Sequence, residues 1–231
     1  MRPEQTLDWM RDGTERLLAA VSAMDDTDLD AASLLPGWNR RYLVSHICAN
    51  ADALRNPVYW ARTGEERRMY ASPQQRDADI AAGAGRPAAE LRDWLASSAD
   101  ALAGDLAALP EPAWDARVIT AQGLTRSAAE IPWMRAREVY VHAVDLAGGA
   151  GFAEQPAGFL GALLDDVTAR RSTLGTGPAL EVDATDTGAR WQVAGAGEKA
   201  TVSAPLAVLA AWLTGRPAPA LRDAPALPPW L

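Results

Sequence analysis

A single cysteine, Cys48, in a chain of 231 residues excludes an internal disulfide. Two histidines leave few ways to build a histidine-based site. No apolar run approaches the roughly 18 residues that would mark a membrane span. The formal net charge is −8, so there is no excess of positive charge to hold nucleic acid or an anionic membrane surface. The N-terminus MRPEQTLDWMRDG is polar and acidic, unlike a signal peptide. These absences leave a soluble cytoplasmic protein as the expectation. What is present is ordinary globular composition, 48% hydrophobic and 23% charged. The length suits one large domain, or one domain with a small appendage.

The chain is organised around Trp133 to Leu146, WMRAREVYVHAVDL. Its apolar residues recur at helical spacing with no Gly or Pro inside, Pro132 fits a first-turn position, and Gly148–Gly149 stop it. Glu138 and His142 are four residues apart, so on a helix they point the same way, as two metal ligands must.

Three further amphipathic helices are expected at 4–24, 39–62 and 87–109, with the organising helix over 127–147. Pro57 should kink or interrupt the second near its end. A polar loop is expected from the end of that helix through Gly85, and VITAQGLT as a short extended turn. Four such helices within residues 1–150 predict a four-helix bundle, in which metal sites are built from inward side chains on facing helices. No internal repeat is evident. After Gly148 the composition shifts. Residues 151–231 read as a small α/β domain, with helices at 156–173 and in LAVLAAWLTG around a small antiparallel sheet of ALEVD, RWQVAG and EKATVSA.

The candidate partner for Glu138 and His142 is the other histidine, His46, in LVSHICANADAL on the second helix. Two histidines and a carboxylate leave a position open for water or substrate, as catalytic zinc sites do. The same set suits non-haem iron, so zinc is the default and not a deduction. Against this stands the plainer reading that Glu-x-x-x-His is common by chance, and that a lone histidine is usually a core or surface residue. Cys48, at i+2 from His46, faces away from it and reads as a small buried residue. Asn50, at i+4, shares the face of His46 and is a candidate pocket residue. Asp145 either fixes the His142 tautomer or is a surface charge at a helix end.

At these residues a resemblance enters. PGWNRRYLVSHICANADAL, TGEERRMYASPQQRDADI, VITAQGLTRSAAEIPWMRAREVYVHAVDL and the terminal PPWL resemble the mycothiol-dependent maleylpyruvate isomerases, one branch of the DinB-like metal-dependent enzymes. The match runs over essentially the whole chain and is strongest from Leu35 to Leu146. It implies a mainly α fold, a DinB-like four-helix bundle with a small C-terminal α/β domain. It also implies a divalent metal, zinc by default, held by His46, Glu138 and His142. Mycothiol would be the cosubstrate, and 3-maleylpyruvate would be converted to 3-fumarylpyruvate in gentisate breakdown. DinB-like sites commonly use three histidines, and a glutamate in place of one marks this branch.

The implied substrate is a dianion, so cations are needed in an acidic chain. Arg216, after the last helix in a family-like Gly-Arg pair, is expected to bind a carboxylate or the thiol cofactor; the alternative is an arginine complementing a helix C-terminus. Arg135, at i−3 from Glu138, is expected to line the same face, the alternatives being a solvated side chain or an ion pair with Glu138. The nine tryptophans mostly read as core, with Trp38 and Trp60 flanking the His46 helix as pocket walls or packing. Other readings stay open: a mycothiol S-transferase acting on another electrophile, or a metal-binding helical module without catalysis. A monomer is expected, since no long apolar seam is evident.

Overall fold

The computed structural model describes residues 3–230. It divides into two compact units, Met1–Gly149 and Ala150–Leu231.

The first unit contains α1 (Pro3–Ser22), α2 (Arg40–Thr63), α3 (Pro73–Ala84), α4 (Ala88–Ala107) and α5 (Ile131–Asp145). Helix α1 packs on α5 and α4, and α2 packs on α4 and α5, which closes a ring of four helices. The mainly α fold with a four-helix bundle is therefore as expected, and α3 lies outside the ring against α2. Helix α2 is the centre of the unit, with every residue from Leu43 to Ala51 buried. Its start is set by Asn39, whose side-chain oxygen accepts from the Tyr42 N–H at 2.9 Å, and its end by Gly64 in the left-handed conformation. Leu17, Leu29, Leu43, Ile47, Leu91, Val139 and Leu146 meet in the core, with Cys48 among them at 0% exposure.

Pro57 does not interrupt α2, which runs on to Thr63 with Pro57 buried inside it. One expectation fails in this unit. The polar loop before Gly85 is largely a helix, α3. Ser72 caps it by accepting from the Gln75 N–H at 3.0 Å, and Pro73 occupies its first turn. Only Ile80 and Gly83 of α3 are buried, which is why no apolar stripe announces it. The Ser45 hydroxyl on α2 donates to Ile80 O at 2.7 Å and pins the helix there. At Gly83 a Cβ would stand 2.3 Å from Ser45 Oγ and 2.4 Å from the Trp94 ring, so only glycine permits this approach. The segment before α5 forms a short hairpin of β1 (Arg117–Ile119) and β2 (Thr125–Ser127).

The second unit holds α6 (Ala157–Leu174), β3 (Pro178–Ala184), β4 (Arg190–Val193), β5 (Ala196–Ala204) and α7 (Leu206–Leu213). Leu180, Val182 and Ala184 alternate inward from β3, and the two helices pack on each other and on the sheet. The sheet is mixed, not antiparallel: the order is β4-β3-β5, with β3 and β4 antiparallel but β3 and β5 parallel. The chain leaves β4 and crosses past the start of β3 at once. A Cβ on Gly195 would lie 2.4 Å from the backbone of Gly177 and Pro178, so a glycine makes this short crossing possible.

Candidate metal centre

Three of the expected site residues meet. His46 on α2 and Glu138 and His142 on α5 each offer a donor atom, and these donors lie within 4.8 Å of one another. Glu138 Oε2 is at the middle, 3.2 Å from His46 Nε2 and 3.2 Å from His142 Nε2. The i, i+4 spacing on α5 puts its two donors on one face, and the packing of α5 on α2 brings the third. The two imidazole rings stand edge to face, with centroids 5.1 Å apart. Trp38 closes one side of His46 at 5.5 Å. Trp60 is half-buried.

Electrostatics favours a charged Glu138 and a neutral His46 in this cluster. Burial works against a charged Glu138, yet hydrogen bonds to His142 and His46 hold its carboxyl well below the ordinary value. Burial pushes His46 down, against the pull of Glu138. A neutral imidazole is the form that binds metal. For His142 burial also lowers, but the hydrogen bonds to Asp145 and Glu138 prevail and raise it. His142 Nδ1 lies 2.8 Å from Asp145 Oδ2, so the second nitrogen is turned to Glu138. Asp145 is fully buried and is not the surface charge of the alternative reading. An acceptor behind a ligating imidazole is the usual support of a metal site. Two imidazoles and one carboxylate that converge in this way fit a divalent metal with at least one position left for another ligand.

Arg135 is not solvated, being 1% exposed, and it hydrogen-bonds to α2. Its Nη1 donates to Ile47 O at 2.8 Å and to Asn50 Oδ1 at 3.0 Å, which clasps α5 to α2 one turn from His46. Its Nη2 is buried with no hydrogen-bond partner. Burial draws the guanidinium down to about 10, which leaves it charged at neutral pH. Asn50 is thus occupied by Arg135 and buried. Cys48 faces the core, and burial pushes its thiol up to about 12. Arg216 belongs to the second unit, where its Nη1 donates to Thr214 O at 2.6 Å and its guanidinium lies 5.8 Å from the Trp230 ring. Thr214 caps the end of α7, so this contact is local to the helix terminus.

One cation at the cluster escaped the sequence reading. Arg76, on α3, brings Nη2 to 3.3 Å from His46 Nδ1. The signal that would have found it is Ser72–Pro73, a helix start followed by an arginine in the first turn.

The residues 10–147 match the family described as the mycothiol maleylpyruvate isomerase N-terminal domain. Two solved structures are similar over nearly the whole chain. One is a mycothiol-dependent maleylpyruvate isomerase, with 35% identity, a TM-score of 0.91, and coverage of 95% of this chain and 91% of that one. The other is a histidine-to-alanine mutant under the same name, with 35% identity, a TM-score of 0.91, and coverage of 94% and 91%. No curated protein sequence matches the chain.

Proposed function

We propose that this chain, which belongs to the mycothiol maleylpyruvate isomerase family, is itself a mycothiol-dependent isomerase of 3-maleylpyruvate. The product is 3-fumarylpyruvate, and the step serves the breakdown of gentisate. The observation that carries the reading is the convergence of His46, Glu138 and His142 within 4.8 Å, with three ligands and no fourth among the described residues. A non-catalytic structural site would be closed by four. No helix among the described residues is long and apolar enough to cross a membrane. The protein is taken to act in the cytoplasm, as a monomer, on small molecules.

His46, Glu138 and His142 would hold the metal, and zinc is the ion we assign. When bound, it supplies a Lewis acid that keeps a thiol sulfur deprotonated near neutral pH. A cis double bond conjugated to a ketone cannot rotate until a nucleophile adds to it. The mycothiol thiolate adds, the new single bond rotates, and elimination returns the thiolate with the trans double bond. The nucleophile comes from mycothiol, so the chain needs no reactive cysteine, in keeping with the buried Cys48. Arg135 and Asn50 act from behind the site, tying the ligand-bearing helices in register. Arg216 is assigned to binding a substrate carboxylate or mycothiol, on the strength of the family-like Gly-Arg pair in which it stands.

Maleylpyruvate turnover with and without mycothiol, for wild type and His46→Ala, tests the assignment. Activity that needs both the thiol and the histidine supports it. Thiol conjugation of monochlorobimane without isomerisation would instead make the protein a mycothiol S-transferase.

A further inference from the structure

No step of the reaction uses the PPWL stretch, yet the structure ties it to Arg216. The backbone of Arg216 is fixed first. At the end of α7 the Gly215 N–H donates to Trp212 O at 3.0 Å and the Arg216 N–H to Ala211 O at 2.8 Å. Gly215 is left-handed, with φ at 77°. This pair of bonds is a common way to end a helix, and it sets the backbone of the residue after the glycine. The Gly-Arg pair thus has a physical content: the glycine makes the turn, and the arginine side chain starts from a set point.

The side chain is directed next. Arg216 Nη1 donates to Thr214 O at 2.6 Å, and the guanidinium lies 5.8 Å from the centre of the Trp230 ring, within cation–π range. Arg216 is half-buried, while Trp230 is 5% exposed. Trp230 is itself held. Arg170 Nε donates to Trp230 O at 3.2 Å. Arg171, buried in the last turn of α6, donates to Pro228 O at 3.1 Å through Nη1 and to Leu213 O at 2.7 Å through Nη2. One guanidinium therefore joins the stretch around Pro228 to the last residue of α7. Pro228 and Pro229 restrict φ in the unfolded chain and so lower the entropy lost in seating it.

An arginine that takes a carboxylate loses side-chain entropy, and one already fixed in place loses less. A guanidinium set against an aromatic ring and bonded to a carbonyl keeps its plane, which suits the parallel N–H pair that a carboxylate accepts.

We propose that Trp230 is a positioning residue: seated by Arg170 and Arg171, it holds the Arg216 guanidinium in the orientation that takes a substrate carboxylate. The inference rests on the assignment of Arg216 to substrate binding and deepens it.

The test uses the zinc-loaded full chain as wild type, Trp230→Leu, Trp230→Phe, Arg216→Ala and the double variant Trp230→Leu with Arg216→Ala. Leucine keeps an apolar filling and removes the aromatic face, whereas phenylalanine keeps a face. Binding of maleate is read by calorimetry, and KM and kcat with maleylpyruvate by steady-state kinetics. Trp230→Leu should lose maleate affinity about 3- to 30-fold, the worth of a cation–π contact between a partly solvated and a desolvated site. KM should rise by a similar factor, more than kcat falls, and Trp230→Phe should recover part of the loss. On the Arg216→Ala background the change to leucine should cost less than about 2-fold, because Trp230 acts through Arg216. Zinc affinity, which belongs to the first unit, should match wild type throughout. Where Trp230→Leu does not fold, Trp230→Phe is read in its place on both backgrounds, with a loss of about 2-fold expected from its weaker face. Wild-type maleate affinity in Trp230→Leu would overturn the proposal. So would an equal loss on both backgrounds, which would leave Trp230 a packing residue alone. If the maleate pattern holds but wild type does not isomerise maleylpyruvate, Trp230 keeps its role and the isomerase reading falls. If wild type isomerises while Trp230→Leu keeps its KM and its maleate affinity, the proposal falls and the isomerase reading stands.

Discussion

The Asp145 carboxylate lies 2.8 Å from His142 Nδ1 and decides which nitrogen of that ring faces Glu138. Asp145 is completely buried, and its own backbone carbonyl accepts from the Leu34 N–H at 2.8 Å, so the residue is held through its backbone as well as its side chain. Removing it with Asp145→Ala should weaken zinc binding about 10- to 100-fold, the usual effect of losing the partner behind a ligating histidine. Asp145→Asn, which still offers an acceptor, should lose less. A competition titration with a chromophoric chelator measures both. Wild-type affinity in Asp145→Ala would remove Asp145 from the site.

Cys48 separates a thiol-dependent enzyme that borrows its thiol from one that owns it. With the thiol 0% exposed and pushed up to about 12 by burial, the native protein should not react with Ellman's reagent at pH 8. One equivalent should react once guanidinium unfolds the chain. Cys48→Ala should keep full mycothiol-dependent turnover. Fast labelling of the native protein, or loss of turnover in this variant, would count against the assignment.

The convergence of Glu138 and His142 was legible because it depends on local geometry. Four residues on a helix is one turn, and with two histidines in the chain His46 was the one remaining partner for Glu138 and His142. The fate of Asp145 was not legible, because its burial depends on the Leu34 segment, distant in sequence. Helix α3 was hidden by its own composition, since PQQRDADIAAGA buries little beyond Ile80. With α3 unseen, Arg76 was lost from the site. The parallel pairing of β3 and β5 was masked by the shortness of the link between β4 and β5, which reads as a hairpin. It depends instead on Gly195 passing the backbone at Gly177 and Pro178.

Gly83 tests how closely α3 must sit. The added methyl of Gly83→Ala would meet Ser45 Oγ and Trp94 inside van der Waals distance, and α3 would have to move. A loss of about 1–3 kcal/mol is expected, as for other overpacked sites. Chemical denaturation reads it. A variant as stable as wild type would show that α3 tolerates a looser seat.

A second clasp, between α1 and α5, should respond to pH. The Tyr140 hydroxyl donates to Asp12, which is also bound by Arg16 Nε at 2.7 Å. Arg16, against a smaller opposing effect of burial and with help from Tyr140, lowers the Asp12 carboxyl. A group depressed in the folded state adds stability above its unfolded value, near 4, and loses it as pH falls through the folded value. Tyr140→Phe should therefore cost about 1 kcal/mol at pH 7, a figure kept small because Asp12 and Arg16 are partly solvated. The difference from wild type should shrink below pH 4. Urea denaturation of both proteins at pH 7 and pH 3.5 checks this, and a gap that does not narrow would contradict it.

The most direct test of the metal–thiolate account is a zinc titration of chelator-stripped protein, followed by maleylpyruvate isomerisation at saturating mycothiol. The account predicts negligible turnover without metal, a rise that stops at one equivalent of zinc, and no recovery at any zinc concentration in Glu138→Ala. Turnover that survives stripping, or that returns in Glu138→Ala with added zinc, would contradict the role given to His46, Glu138 and His142.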